Sequence, residues 1–239
     1  MPTEHRVALV TGGATGIGRA TVRALASRGF RVAIDHLGKE TEAAALAESV
    51  GGAAYEADVA DVEAVDAVVR AVEADLGPIE IAVCCAGFDI DRPLEEVDDE
   101  LWDRTLAVLL GGCANVMAAV GPRMRARGHG SIVAVSSELA LTGDAWHVHY
   151  VTAKAAVLGL MRTAAQEFGA DGVRVNAVAP GPTDTEMLTE RWRAQDYLDS
   201  IPLRRAGRPE EIAEMIVAVA ESTWTTGQVV SPNGGVVIQ

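Results

Sequence analysis

Tyr150 and Lys154 stand four residues apart in Tyr150-Val151-Thr152-Ala153-Lys154, and Ser137 lies thirteen residues upstream of the tyrosine. On a helix, residues four apart project from the same face, one turn above the other. A phenol with a pKa near ~10 is a poor proton donor or acceptor at neutral pH. A cation one turn away favours the phenolate and is expected to lower that pKa. A serine hydroxyl within reach can hydrogen-bond the same substrate oxygen. Together the three groups could move a proton on and off an alcohol or carbonyl oxygen. Tyr-x-x-x-Lys is common by chance, so its weight rests on the elements that hold it.

Those elements alternate. Apolar runs at 7–10, 31–34, 53–57, 79–84, 131–136, 173–178 and 228–230 read as strands. Between them lie helical patterns at 40–49, 61–76 (capped by Asp61), 98–127, the helix of Tyr150 and Lys154 running to Phe168, and a last one from Pro209. The alternation predicts an α/β fold, a Rossmann-like, doubly wound, parallel seven-stranded sheet in the order 3-2-1-4-5-6-7. No linker, repeat or low-complexity stretch interrupts it, so residues 1–239 read as one nucleotide-binding catalytic domain. The first strand runs into Thr11-Gly12-Gly13-Ala14-Thr15-Gly16-Ile17-Gly18 and then a helix. Strand, glycine-rich turn, helix is the arrangement that seats a pyrophosphate on a helix N-terminus. Ser137 falls just past the fifth strand, at the carboxyl end where parallel sheets bind ligands. The polar stretch 184–205, with Trp192 and Tyr197, reads either as a lid over the site or as an exposed helical excursion.

The net charge of −14 argues against nucleic acid or an anionic membrane as partner. No uninterrupted apolar run approaches ~18 residues, and the N-terminus leads straight into a strand, so neither a membrane span nor a signal peptide is expected. Cys84, Cys85 and Cys113 give no disulfide framework, which fits a reducing, cytoplasmic setting. Neither Cys84-Cys85 nor His147-x-His149 belongs to a zinc-type ligand set, so no metal is expected. For both histidines packing is at least as good a reading as chemistry.

Thr11-Gly12-x-x-x-Gly16-x-Gly18, Asp58, Ala86-Gly87, Ser137, Tyr150-x-x-x-Lys154, Asn176, Pro180-Gly181 and Thr226-Gly227, in this order, resemble the short-chain dehydrogenase/reductase family over essentially the whole chain. The run from Ile201 to Ala213 is most similar to 3-oxoacyl-acyl carrier protein reductases and related carbonyl reductases. The resemblance implies an NAD(P)-dependent oxidoreductase that transfers a hydride between nicotinamide and a ketone or secondary alcohol. Tyr150 would then be the acid or base, Ser137 would position the substrate oxygen, and Lys154 would bind the nicotinamide ribose. Gly12, Thr15, Gly16, Ile17 and Gly18 would form the phosphate turn, and Asp58 and Val59 would hold the adenine. Ala86 and Gly87 would let the ligand approach, and Pro180, Gly181, Thr183 and Thr185 would lie near the carboxamide and pyrophosphate. A homotetramer or dimer acting on a small carbonyl substrate is implied as well.

Three departures stand out. Leu109 occupies the place where the family carries an asparagine that supports a water relay to the lysine. Cys84-Cys85-Ala86-Gly87 replaces the usual Asn-Asn-Ala-Gly. At the second strand's end Asp35 would bond the ribose and repel a 2′-phosphate, whereas His36 or Lys39 would attract one. The balance favours NAD(H) over NADP(H). A nucleotide-binding protein with weak or lost turnover, and an epimerase without net redox, are the alternatives.

Overall fold

A computed structural model describes residues 6–238; the stretch 1–5, from which no signal peptide was expected, lies outside the described residues. Seven parallel strands form one sheet in the order expected, 3-2-1-4-5-6-7. They are β1 Val7–Thr11, β2 Arg31–His36, β3 Ala53–Glu56, β4 Ile79–Cys84, β5 Gly130–Val135, β6 Val173–Val178 and β7 Val229–Val230. The central strands are buried on both faces, which is why they read as continuous Val, Ile and Ala runs rather than alternating ones. Helices α1 (Gly16–Ser27), α2 (Glu40–Val50) and α10 (Pro209–Glu221) pack on one face. Helices α3 (Val62–Asp75), α5 (Gly112–Arg127) and α7 (Val148–Phe168) pack on the other. β1 pairs with both β2 and β4, so the winding reverses there and leaves a crevice at the strand carboxyl ends.

Several ends differ from expectation. β3 stops at Glu56, and β7 keeps only Val229 and Val230. Just ahead of β7, the Gln228 N–H donates to Asn176 Oδ1 at 3.1 Å, and Asn176 Nδ2 donates to the Thr225 carbonyl at 2.8 Å. Asn176 therefore ties β6 to the chain that precedes β7.

The long helix is not uniform. It runs as α4 (Asp99–Leu106), a π-helical turn (Ala107–Gly111) and α5, and Leu109 sits inside the π turn. π turns inside α-helices recur at functional sites. The whole stretch Asp99–Arg127 is long and apolar enough to cross a membrane by length and composition alone, which a search for uninterrupted apolar runs overlooks. Here that apolar surface is used by the core: Val116, Val120 and Met124 are buried against the sheet side.

Three short helices complete the chain over the crevice: α6 (Leu139–Thr142), α8 (Glu190–Arg193) and α9 (Gln195–Ser200). The last two lie within the 184–205 excursion. Arg193 holds it to its own base, donating to Asp184 Oδ1 at 2.5 Å, to the Thr185 carbonyl at 2.8 Å and to the Leu188 carbonyl at 3.1 Å.

Candidate active site

A cavity of about 450 Å³ opens at the β1/β4 switch point and runs from the glycine turn to the 184–205 excursion. Ser137, Tyr150 and Lys154 share its wall. β5 delivers Ser137 just beyond its carboxyl end, and α7 presents Tyr150 and Lys154 from successive turns, with Lys154 Nζ 5.7 Å from the tyrosine ring centroid. The Ser136 hydroxyl donates to the Lys154 carbonyl at 2.8 Å and so pins α7 to the end of β5.

The electrostatics correct the expectation that Lys154 lowers the tyrosine pKa. Lys154 is buried and donates to the Val135 carbonyl at 2.8 Å; burial pulls its own pKa down. The Tyr150 phenol is pushed up instead, first by burial and then by the negative charges of Asp89 and Glu138, with only the Ser137 hydroxyl acting the other way. At neutral pH Tyr150 keeps its proton.

The phosphate end is shaped by missing side chains. Gly12 has φ +61° and Gly16 φ +47°, backbone that favours glycine. A Cβ on Gly12 would stand 2.7 Å from Ala86 Cα, and one on Gly18 would stand 2.2 Å from the Gly12 carbonyl oxygen. The turn is thus folded tightly against the end of β4, with the N-terminus of α1 facing the cavity. The Thr11 hydroxyl adds a second tie, accepting from Cys85 N at 3.1 Å and Ala86 N at 3.3 Å. A glycine cradle at a helix N-terminus fits the pyrophosphate of a dinucleotide.

Gly12, Thr15, Gly16, Ile17, Gly18, Gly87, Pro180, Gly181, Thr183 and Thr185 all lie on the cavity wall. Asp35, His36, Asp58, Val59 and Ala86 do not; Ala86 lies behind the wall, packed under Gly12. Asp35 and His36 are buried, with Asp35 Oδ1 and His36 Nδ1 left without partners. Burial raises the Asp35 pKa to about 8, against a hydrogen bond from the Gly12 backbone and with the repulsion of Asp58 adding to the rise. Asp35 is therefore largely uncharged at neutral pH, which weakens the repulsion of a 2′-phosphate expected of it. Asp58 accepts from Ala60 N at 3.0 Å and pairs with Arg104 at 2.8 Å. Burial raises its pKa, but those two partners outweigh it and hold the carboxyl below its usual range. Asn115 donates to the Val59 carbonyl at 2.9 Å, so it supports that turn and does not replace an asparagine at Leu109. The Leu109 side chain is buried, with Cδ2 2.8 Å from where a Cβ on Gly87 would stand.

The substrate end contains groups that sequence reasoning missed. Ser137 Oγ donates to Glu138 Oε2 at 2.9 Å and accepts from Leu139 N at 3.1 Å, so its one proton is engaged. Glu138 is buried and lines the cavity. Burial raises its pKa to about 7, although Ser137 and nearby backbone N–H groups favour the ionised form.

His147, fully buried, joins its near neighbour Asp144 to Asp89 and Asp91 of a distant loop. Nε2 meets Asp91 Oδ1 at 3.0 Å and Asp89 Oδ2 at 3.2 Å, while Nδ1 meets Asp144 Oδ2 at 2.9 Å. Burial opposes the charged ring, but the hydrogen bond and charge of Asp89, the Ala145 carbonyl and Asp91 outweigh it and raise its pKa to about 9. Asp89, Asp91 and His147 could hold a metal by proximity, an arrangement the expectation of no metal did not foresee. As an imidazolium His147 ties the three aspartates into an ion-pair knot, and a metal there would have to displace a ring proton. His149 is buried beside it with both nitrogens unpartnered, and burial lowers its pKa.

The knot reaches the excursion. Trp192 packs on His147 at 5.9 Å between ring centroids, Tyr197 packs edge-on to Trp192 at 4.6 Å, and Arg191 stacks on Trp146 and Trp192 and lies 3.5 Å from Asp144. Spacing could not reveal this cluster, because its members are brought together only by the loops. Cys85 lines the cavity with a thiol that burial raises to about 11; the buried Cys84 thiol is raised further, by its hydrogen bond to Cys113 and by burial.

A family profile described as enoyl-(acyl carrier protein) reductase matches residues 12–237, spanning the glycine turn, Ser137, Tyr150 and Lys154 in one alignment. The chain is a short-chain dehydrogenase/reductase. This reductase is 39% identical over 236 residues to acetoacetyl-CoA reductase of Rhizobium meliloti, covering 96% of this chain and 98% of the relative. It is 41% identical over 248 residues to short-chain reductase protein NovJ of Streptomyces niveus, covering 98% and 94%. With the 3-oxoacyl-[acyl-carrier-protein] reductase FabG of Thermotoga maritima it shares 38% identity over 247 residues, covering both chains fully. Among solved structures, a blue fluorescent protein from a metagenomic library in complex with NADPH superposes with a TM-score of 0.93 and 31% identity, covering 100% of each chain. The protein is accordingly an oxidoreductase of C=O or CH–OH groups that uses a nicotinamide cofactor.

Proposed function

We propose that this reductase converts a small ketone to the secondary alcohol, with Tyr150 as the proton donor. The observation that carries this reading is that Ser137, Tyr150 and Lys154 share one cavity wall with the glycine turn. The Tyr150 phenol, buried there, keeps the proton that a developing alkoxide would take. A reduced nicotinamide held in this cavity would supply the hydride for the carbonyl carbon. Tyr150 gives its proton to the carbonyl oxygen and is reprotonated from solvent. Ser137 turns its proton from Glu138 to that oxygen and orients it, and Lys154, anchored on Val135, binds the nicotinamide ribose. The glycine turn seats the pyrophosphate. The 184–205 excursion covers the substrate end, through Met187, Leu188 and Trp192.

For the cofactor we propose NAD(H) over NADP(H). Support comes from Thr15 beside Gly16, where a 2′-phosphate would want a cation, and from Lys39, whose charge is shared with Glu42 at 3.8 Å. Initial rates with NADH and NADPH across ketones, 3-oxo esters and quinones test both proposals. Faster turnover with NADH is the expected result. Faster turnover with NADPH would overturn the cofactor assignment. Cofactor binding with no turnover would favour the binding-protein reading, to which the engaged Ser137 proton lends some support.

A further inference from the structure

The cavity wall carries three carboxyl side chains, Asp89, Glu138 and Glu186, and one cation, Lys154. Two of the carboxyls have cationic partners. Asp89 lies 3.2 Å from the protonated His147, and Glu186 lies 3.7 Å from Arg19. Lys154 is turned to the Val135 carbonyl at 2.8 Å. Among the described residues, Glu138 has no ion-pair partner. It is only 5% exposed, and the side-chain donor it has is the hydroxyl of Ser137. Backbone N–H groups of Glu138 and Leu139 favour its ionised form as well, yet a carboxylate can take about four hydrogen bonds, so this buried carboxyl at a ligand cavity keeps room for one more donor.

We infer that Glu138 determines specificity, selecting ketones that carry a hydrogen-bond donor, a hydroxyl or an ammonium, on the carbon next to the carbonyl. The inference rests on the reductase reading above. The position follows from reach. Glu138 Oε2 is 2.9 Å from Ser137 Oγ, the atom that would hold the carbonyl oxygen. A donor on the adjacent carbon lies roughly 2.7–3 Å from that oxygen, so one short hydrogen bond carries it to the carboxyl. With no guanidinium on the wall, the same site is unfavourable for an anionic substrate group. A pKa of about 7 keeps part of the Glu138 population ionised at neutral pH, and a donor from the substrate would favour that form.

The test uses the intact chain and four probes: 1-hydroxypropan-2-one, 1-aminopropan-2-one, butan-2-one (where a methyl replaces the donor) and acetoacetyl-CoA. The expected result is a kcat/KM for a donor-bearing ketone at least about tenfold above butan-2-one, with acetoacetyl-CoA poorer than either. Glu138→Leu should collapse the donor-to-methyl ratio to about twofold or less, since nothing then accepts from the donor. Glu138→Gln guards against misfolding of the leucine variant. It keeps an acceptor but no charge, so it should spare the hydroxy ketone more than the amino ketone. A larger wild-type preference for the amino ketone would assign the donor as cationic, and a larger one for the hydroxy ketone as neutral. The inference is overturned by equal wild-type efficiency on the hydroxy ketone and butan-2-one, by a ratio that survives both substitutions, or by acetoacetyl-CoA as the best substrate. Reduction of butan-2-one under any of those outcomes leaves the reductase reading standing. Absence of turnover on all four ketones would remove that reading and the inference with it.

Discussion

The phosphate end of the cavity is built from backbone, whereas the substrate end is built from ionisable side chains. At the glycine turn the shape follows from what is missing: no Cβ fits on Gly12 against Ala86, nor on Gly18 against the Gly12 carbonyl. At the other end Glu138, Asp89 and His147 arrive from three loops, and the His147 pKa is raised by Asp89 against its burial. The first kind of site tolerates few substitutions and changes little with pH. The second can be retuned one residue at a time, so the protein can keep one cofactor site while its substrate preference varies.

The largest effect expected at the substrate end is for Tyr150→Phe. It should retain nicotinamide cofactor binding, measured by fluorescence titration, and lose about 10²–10⁴ in kcat. Undiminished turnover would remove Tyr150 from the chemistry.

At the phosphate end the matching change is Gly18→Ala. Its Cβ would meet a backbone oxygen at 2.2 Å, and backbone cannot swing aside as a flexible side chain can. Cofactor affinity should fall at least about tenfold, with a loss of about 1–3 kcal/mol in stability by chemical denaturation. If affinity is unchanged while the variant is destabilised, the turn matters for folding and not for the phosphates.

A third prediction separates the two ends by pH. The folded-state pKa of His147, about 9, lies above its ordinary 6.5, so its contribution is full below pH 6.5 and lost as pH rises through 9. The raised carboxyls of Glu138 and Asp35 also hold protons more tightly when folded. Their burial costs stability as pH rises from 4.5 to about 7 and from 3.8 to about 8. All three signs agree, so Tm should fall between pH 5 and 9. His147→Gln should reduce the slope around pH 9, where His147 titrates and Glu138 and Asp35 are already mostly ionised. It should also lower stability at pH 6 by about 1–2 kcal/mol, because three half-buried aspartates lose their shared cation. A slope unchanged in that variant would mean the imidazole is not charged in the fold.

The smallest expected effect is for Leu109→Asn. It should raise kcat by less than about tenfold if a proton relay to Lys154 limits turnover. It should also lower Tm, since an amide enters a nearly dry site beside Gly87. A lower Tm with unchanged kcat would show that the relay does not limit.

The sheet order, the glycine turn and the placing of Ser137 with Tyr150 and Lys154 were legible because each depends on short-range rules. Buried parallel strands need unbroken Val, Ile and Ala runs, tight turns need glycine, and i, i+4 residues share a helix face. The cofactor end was only partly legible. Asp35 looked like a ribose ligand from its place at a strand end, yet its carboxyl is buried and its pKa is raised. The substrate end was not legible. Asp89, Asp91 and Asp144 are separated from one another by up to 55 positions in sequence (144 − 89) and meet only around His147.

Sequence alone thus determined the fold, the family and the grouping of Ser137, Tyr150 and Lys154 at one cavity, because backbone preference and residue type suffice for those. Tertiary structure decided the charges. Whether Tyr150 keeps its proton, whether His147 is an ion or a ligand, and what Glu138 asks of a substrate depend on desolvation and on neighbours brought in by distant loops. Those two quantities have no period and no spacing in the chain.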